Sequence, residues 1–306
     1  MSRKLVLVCA LLVAIPCIAN ALTGADIARR AYESDKKVSY RGVKSTFVRV
    51  GETSTRAILK VVHLMPDKTR KEYFSPPSLA GTIVVQSGPE VWKTDKADPF
   101  WEVGRSSSYG PGRSRNCATA LTNFEVRLLG SARVAGRDTY VISAVPKNGK
   151  EPSRRIWVDK ECFVVLRIEA VSREKVLLSS SGFTAIEVNP SDISPNVFTV
   201  PGKVKSFPTP EGLDFRVLRP TYLPAGYRMV GLTKETANGH HCAHLQYSNG
   251  VYTMSLFERR CRGESVIPRV PDKLTTILSW TKDGTLLTLV GEPPRAELEK
   301  VAKSTK

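Results

Sequence analysis

The chain has 306 residues, 41% of them hydrophobic and 25% charged, with 46 Lys and Arg against 29 Asp and Glu and a formal charge of +17. That balance excludes a disordered or fibrous chain, because it supplies apolar surface for a sizeable core, and the length suits two domains. The cationic excess attracts anionic lipid, polyanionic glycolipid or an acidic partner.

At the start, Arg3 and Lys4 precede an apolar run from Leu5 to Ile15, and Ala19-Asn20-Ala21 is a small-residue cleavage signature. These are the three parts of a secretory signal peptide, so residues 1–21 are expected to be removed after Ala21. The run is broken by Pro16 and falls short of the roughly 20 residues that span a bilayer. Cys17 follows that proline rather than a small residue, which argues against lipidation. Removal leaves a charge of +15, from 44 basic and 29 acidic residues. Export makes nucleic acid a poor candidate partner despite that charge.

The first mature element is a short helix: Thr23 and Asp26 have the spacing of a capping box, and Ile27, Ala31 and Tyr32 share one face. From Val38 the period becomes strand-like. The β-rich runs Tyr40 to Val50, Arg56 to Met65, Arg70 to Phe74 and Thr82 to Trp92 are punctuated by Gly51-Glu52, Pro66-Asp67, Pro76-Pro77 and Gly88-Pro89, which reads as an antiparallel meander. In the second run Ile58, Lys60, Val62 and Leu64 lie on one face and Leu59, Val61, His63 and Met65 on the other. Such two-faced strands fit a sheet with a helix on one side and a second hydrophobic compartment on the other. Residues 104–116 (GRSSSYGPGRSRN) read as a mobile basic loop. Strand-like runs resume at Phe124 to Leu129, Thr139 to Val145, Arg154 to Val158, Cys162 to Val171 and Lys175 to Val188.

Three prolines and two glycines in Pro201 to Gly212 mark the domain boundary. The large domain is therefore placed at 22–203, a linker at 204–212 and a small domain at 213–306. The latter offers strands at Phe215 to Leu218, Tyr227 to Lys234, Cys242 to Tyr247, Tyr252 to Glu258, Thr275 to Trp280 and Leu286 to Val290. Asn249-Gly250 and Asp283-Gly284 are hairpin pairs. A helix follows from Arg295, with Leu298, Val301 and Ala302 on one face.

Cys9 and Cys17 leave with the signal, so Cys117, Cys162, Cys242 and Cys261 remain. In an oxidising compartment four thiols most simply form two disulfides, with three connectivities available. Pairing Cys117 with Cys162 and Cys242 with Cys261 keeps each bridge inside one domain. A two-residue turn at Asn249-Gly250 sets Cys242 opposite Phe257, which leaves Cys261 four residues, about 13 Å, off register.

The segment His240-His241-Cys242-Ala243-His244 gathers three imidazoles and a thiol, so a metal ion is conceivable. Alternation sends His240, Cys242 and His244 to one side and His241 to the other, and a bridged Cys242 cannot ligate. A solvated strand start is the plainer reading, and no metal or cofactor is assigned. No Gly-x-Ser-x-Gly elbow, Cys-x-x-Cys pair or His-Glu-x-x-His helix is present, so the chain is read as non-catalytic. Trp92, Phe100 and Trp101 bracket a short polar stretch and are the candidate ligand-binding residues, three rings placed to line the mouth of an apolar cavity.

Val38-Ser39-Tyr40-Arg41-Gly42-Val43, followed by a strand ending in His63-Leu64-Met65-Pro66, resembles the opening of the large domain of the periplasmic sigma-factor regulators RseB and MucB. Arg155-Ile156-Trp157-Val158-Asp159, Val165-Leu166-Arg167 and Gly182-Phe183-Thr184 are similar to a pattern that this domain shares with the lipoprotein carriers LolA and LolB. Leu223-Pro224-Ala225-Gly226-Tyr227 and Leu289-Val290-Gly291-Glu292 resemble the small RseB domain. The likeness spans nearly all the mature chain. It implies an α+β, mostly antiparallel fold: a LolA/LolB-like unclosed half-barrel with helices on its concave face, plus a small β-rich C-terminal domain. It also implies a periplasmic protein that binds the periplasmic part of a membrane anti-sigma factor, relieved by lipid or lipoprotein acyl chains. The four mature cysteines and the basicity depart from the family pattern. A LolA-like lipoprotein carrier and a metal-dependent hydrolase built on the His240 cluster are the alternatives, and a homo-oligomer is left open.

Overall fold

The computed structural model describes residues 22–50, 53–88, 90–94, 101–105, 117–149, 151–200, 204–205, 213, 215–237, 240–261 and 276–306. The expected signal peptide, residues 106–116 of the basic loop and residues 206–212 of the linker lie outside them. Helix α1 (Gly24–Ser34) begins at the anticipated box, with the Thr23 hydroxyl accepting from the Asp26 N–H and the Asp26 carboxylate accepting from the Thr23 N–H, both at 3.2 Å. Such reciprocal capping satisfies two orphan donors, a contribution of about 1 kcal/mol.

Strands β1 (Tyr40–Val50), β2 (Thr53–Leu64), β3 (Lys68–Ser75), β4 (Ile83–Ser87), β5 (Glu90–Thr94) and β6 (Trp101–Arg105) meander from the middle of a 12-stranded sheet to one edge. The run expected from Thr82 to Trp92 is thus a hairpin, split at Gly88, whose φ is +57°. At that edge β12 (Val204–Lys205) adds in parallel to β6, so the first two residues of the expected linker belong to the large sheet. After helix α2 (Cys117–Asn123) the chain re-enters at the opposite edge with β7 (Phe124–Val134). It then returns through β8 (Arg137–Pro146), β9 (Ser153–Asp159) and β10 (Val165–Val171) to β11 (Leu177–Val188), which pairs with β1. The edges β12 and β7 do not pair with each other, so the sheet stays unclosed.

Both faces of β2 are used. Leu59 and Val61 pack with Tyr40, Leu166 and Phe183, while Val62 packs with Val85 and Phe198. The first face receives the C-terminal end of α1: the Asp35 carbonyl lies 2.7 Å from His63 Nε2, and the Tyr40 hydroxyl donates to the Asp35 carboxylate at 3.2 Å. Further along the sheet, Ile27 and Ala28 of α1 pack on Ile142 and Val158. The tip of the β7–β8 hairpin, Val134 and Ala135, folds onto the Tyr40 cluster. The second face is covered by a returning segment, with Ile193, Phe198 and Val200 against β2, β4 and β5. Each fully buried aliphatic or aromatic side chain here contributes roughly 1.5–3 kcal/mol.

The small domain holds β13 (Arg228–Ala237), β14 (His240–Ser248), β15 (Thr253–Arg260), β16 (Thr276–Lys282) and β17 (Thr285–Gly291) in the order β13-β14-β15-β17-β16. Helix α3 (Arg295–Ser304) buries Leu298 and Val301 on one face of this sheet. The strand expected at Phe215 to Leu218 is instead irregular, because its backbone bonds elsewhere. The Leu218 N–H donates to the Glu258 carboxylate at 2.9 Å, and Arg219 exchanges two backbone bonds with Lys306. The Asp283-Gly284 turn forms as expected, with φ of +49° and +70°. The other hairpin is displaced by one residue. Asn249 pairs with Tyr252 across Gly250-Val251, and its amide oxygen accepts from the Val251 and Tyr252 N–H groups at 3.1 and 2.8 Å. Cys242 therefore stands opposite Arg259 rather than Phe257, and Cys261 is two residues past that partner rather than four.

Candidate binding surfaces

The two domains share one core. Phe124, Val126 and Ala144 of the large sheet pack into a cluster with Tyr227, Leu245, Tyr252 and Leu256 of the small domain. Polar clamps surround it. The Asn123 side-chain amide at the end of α2 donates to the carbonyls of Asn249 at 2.8 Å and Gly226 at 3.3 Å, and the Tyr32 hydroxyl of α1 donates to the Gly250 carbonyl at 3.0 Å. Glycine is required at Gly250: a Cβ there would lie 2.4 Å from the Ala120 backbone nitrogen, and its φ is +95°. On the other flank the Arg154 guanidinium sits 4.4 Å above the Tyr252 ring and 3.1 Å from the Glu292 carboxylate, and the Tyr252 hydroxyl donates to the Pro152 carbonyl. Burial pushes the phenols of Tyr227 and Tyr252 well above their ordinary range. Both stay neutral across the physiological range, and a cation over a desolvated ring contributes about 1–2 kcal/mol.

Within the small domain, Met254, Leu256 and Glu258 alternate onto the core face of β15. Glu258 is 0% exposed. One carboxylate oxygen accepts the Leu218 N–H, and the other has no hydrogen-bond partner among the described residues. Burial pushes this carboxyl up to about 7, opposed by the Leu218 N–H and the nearby Arg219 charge. Removal from water disfavours the ionised form, so the group is poised between charge states near neutrality.

Among the residues singled out in the sequence, Trp92 lies on β5. It is half-buried against the cluster of Val62, Val85 and Phe198. Trp101 lies on β6 two positions from Val103, which is opposite Trp92. Phe100 falls outside the described residues. The expected disulfides Cys117–Cys162 and Cys242–Cys261 are not formed in the structure. Cys117 sits on α2 near Arg29 and Glu33 of α1. Cys162 instead packs on the Tyr40 cluster and donates to Asp159 at 3.3 Å, and burial pushes its thiol up to about 11. The Cys242 thiol donates to the Ala243 carbonyl at 3.4 Å. Asp159 caps its turn by accepting from the Arg137 guanidinium and from the Glu161 and Cys162 N–H groups. Burial works to raise its pKa, but these donors hold it below the usual carboxylate range. His244 is 2% exposed and stacks on Phe257 at 4.1 Å, a packed position rather than a solvated one. Among the described residues no group of three His, Cys, Asp or Glu side chains is placed to hold a metal.

Sequence reasoning missed Asn123, Arg154 and Glu258. For Glu258 a signal existed, since an acid alternates with Met254 and Leu256 at a core-facing position.

The sequence profile described as the MucB/RseB N-terminal domain matches residues 27–204. The sigma-E factor regulatory protein RseB of Escherichia coli (strain K12) is 24% identical over 289 residues, covering 88% of this chain and 83% of its own. The sigma factor AlgU regulatory protein MucB of Pseudomonas aeruginosa is 23% identical over 331 residues, covering 99% and 96%. The fold matches that of MucB in the Pseudomonas aeruginosa MucA/MucB complex with a TM-score of 0.71 at 19% identity, over 92% of this chain and 98% of that one. A structure of MucB alone gives a TM-score of 0.70 at 20% identity, over 92% and 97%.

Proposed function

The chain belongs to the MucB/RseB family, and from that premise we propose that it is an exported, non-catalytic regulator that binds the periplasmic domain of a membrane anti-sigma factor. Removal of the signal after Ala21 would deliver it to the periplasm. The observation that carries the proposal is the shared core between the domains: Phe124 and Ala144 pack with Tyr227 and Tyr252, and Asn123 and Arg154 bond across the junction. A partner segment therefore meets two sheets held in one fixed relation, so little ordering cost is added on binding. The relatives' regulatory names and the complex of MucB with MucA support the same reading.

The signal that relieves binding is proposed to be a lipid or the acyl chains of a lipoprotein. Ile58 is 44% exposed and Phe74 is 52% exposed. They lie at the β2–β3 register shift, where Ile58 faces Ser75 and Leu59 faces Tyr73, and they offer exposed apolar contact there. Solvent extraction of the protein purified from its native envelope should release an acyl-bearing species seen by mass spectrometry; an extract free of lipid would remove this part of the proposal. The partner is tested by capture from envelope extract. A membrane protein whose cytoplasmic part binds a sigma factor should co-purify, whereas recovery of lipoproteins alone would favour a carrier.

A further inference from the structure

We propose that the hollow at the β16–β17 turn end of the small domain is a binding site for a phosphate-bearing small molecule or headgroup. The cavity has a volume of about 700 Å³. Among the described residues that line it are four basic ones, Arg216, Arg260, Lys282 and Lys306, and one acidic one, Asp283. Arg260 pairs directly with Thr285 on β17, and Thr285 pairs with Lys282 on β16. Directly opposed residues share a face, so two cations flank buried Thr285 along one row of the sheet.

The walls are fixed in advance. The Leu218 N–H is held by Glu258, Arg219 and Lys306 exchange backbone bonds at 2.9 and 3.0 Å, and the Cys261 N–H donates to the Gly284 carbonyl at 2.8 Å. Lys282 Nζ donates to the Thr305 carbonyl at 2.7 Å, which holds that charge at the wall. A preformed hollow lined by several cationic residues suits a small anionic ligand. Phosphate suits this set better than a carboxylate. It carries roughly −1.5 to −2 charges near neutrality and offers several acceptor oxygens, matching two arginine forks and two ammonium groups. Phe215 and Leu218 add apolar contact for whatever carries the phosphate.

The test is calorimetric titration of the mature chain with pyrophosphate, with monomeric dihexanoyl phosphatidic acid, and with dihexanoyl phosphatidylcholine as the zwitterionic control. Arg216 and Arg260 are both exposed, so Arg216→Gln with Arg260→Gln leaves the core intact, which an unchanged thermal melt verifies. Arg29→Gln with Arg133→Gln removes the same charge from exposed positions elsewhere. Binding of pyrophosphate identifies a soluble phosphorylated ligand; binding of phosphatidic acid alone identifies a headgroup that also needs the apolar contacts. In either case the cavity pair of substitutions should weaken binding about tenfold or more, each lost charge-assisted contact being a large effect, while the control pair changes it less than about twofold. Failure of both phosphate probes to bind, or equal weakening by the two variant pairs, overturns the proposal.

Discussion

Gly250→Ala is expected to lower the melting temperature by roughly 10 °C. The new Cβ would lie 2.4 Å from the Ala120 nitrogen and 2.9 Å from its Cα, both backbone atoms of α2 that cannot swing aside. Overpacking of this kind costs about 1–3 kcal/mol. Forcing an L side chain to a φ of +95° adds about 1–3 kcal/mol more. Relief would require the β14–β15 turn to move off α2, breaking the bonds from Asn123 to the Asn249 carbonyl and from Tyr32 to the Gly250 carbonyl. In a chain of this size each kcal/mol shifts the midpoint by roughly 2–4 °C. Gly284→Ala is the control, since Gly284 also has positive φ but nothing lies within 4 Å of its Cβ direction. It should show the strain without the clash. Differential scanning calorimetry of both variants decides the point: similar small losses would mean that the turn is not wedged against α2, and two separated transitions in the parent chain would mean that the domains do not share a core.

Glu258→Gln is expected to remove a pH dependence of stability on the order of 2–3 kcal/mol. Burial raises the Glu258 carboxyl from an ordinary 4.5 to about 7 in the folded protein. Between those values the folded chain holds a proton that the unfolded chain has released, so stability rises as pH falls from 8 toward 5 and is lost as pH rises through 7. The shift of about 2.5 pH units sets an upper limit near 3 kcal/mol at roughly 1.4 kcal/mol per unit. A glutamine still accepts the Leu218 N–H and carries no charge to strand in the core. Urea denaturation at pH 5 and pH 8 gives the comparison, with the parent-minus-variant difference cancelling every other titrating group. The variant should gain on the parent at pH 8 relative to pH 5; a difference independent of pH would show that Glu258 is not held in the core.

How far the fold could be read from the residues depended on the range of the interaction. Thr23 and Asp26 lie three residues apart, and their capping box formed as expected. Asp283-Gly284 needs only its own two backbones to turn, and it turned where placed. The two-faced pattern of β2 announced two compartments, and both exist, filled by α1 on one side and by Phe198 on the other. Local logic failed where side chains redirected the backbone. Asn249 looked like a central turn residue, but its amide oxygen takes two N–H groups ahead of it and moves the turn to Gly250-Val251. The seven residues of α2 are too short to display a helical period, and β6 sits beside a glycine- and serine-rich stretch that masks it. Long-range pairs such as Asn123 with Asn249 and Arg154 with Glu292 leave no spacing signal at all. For Trp92, composition alone could not show that its ring packs beside Phe198, because that contact depends on the returning chain at 193–200.

The junction also bears on regulation. Because Phe124 and Ala144 belong to the same core as Tyr252 and Leu256, a signal acting at the large domain cannot free the small one without opening apolar contacts worth several kcal/mol.

The central claim, that the mature chain binds the periplasmic domain of a membrane anti-sigma factor, is tested most directly by calorimetric titration with that purified domain, taken from the organism that encodes this chain. Saturable binding at micromolar concentration or tighter is predicted, around −8 kcal/mol or more favourable, with co-elution of the two proteins in gel filtration. An absence of heat together with separate elution at the same concentrations would contradict it.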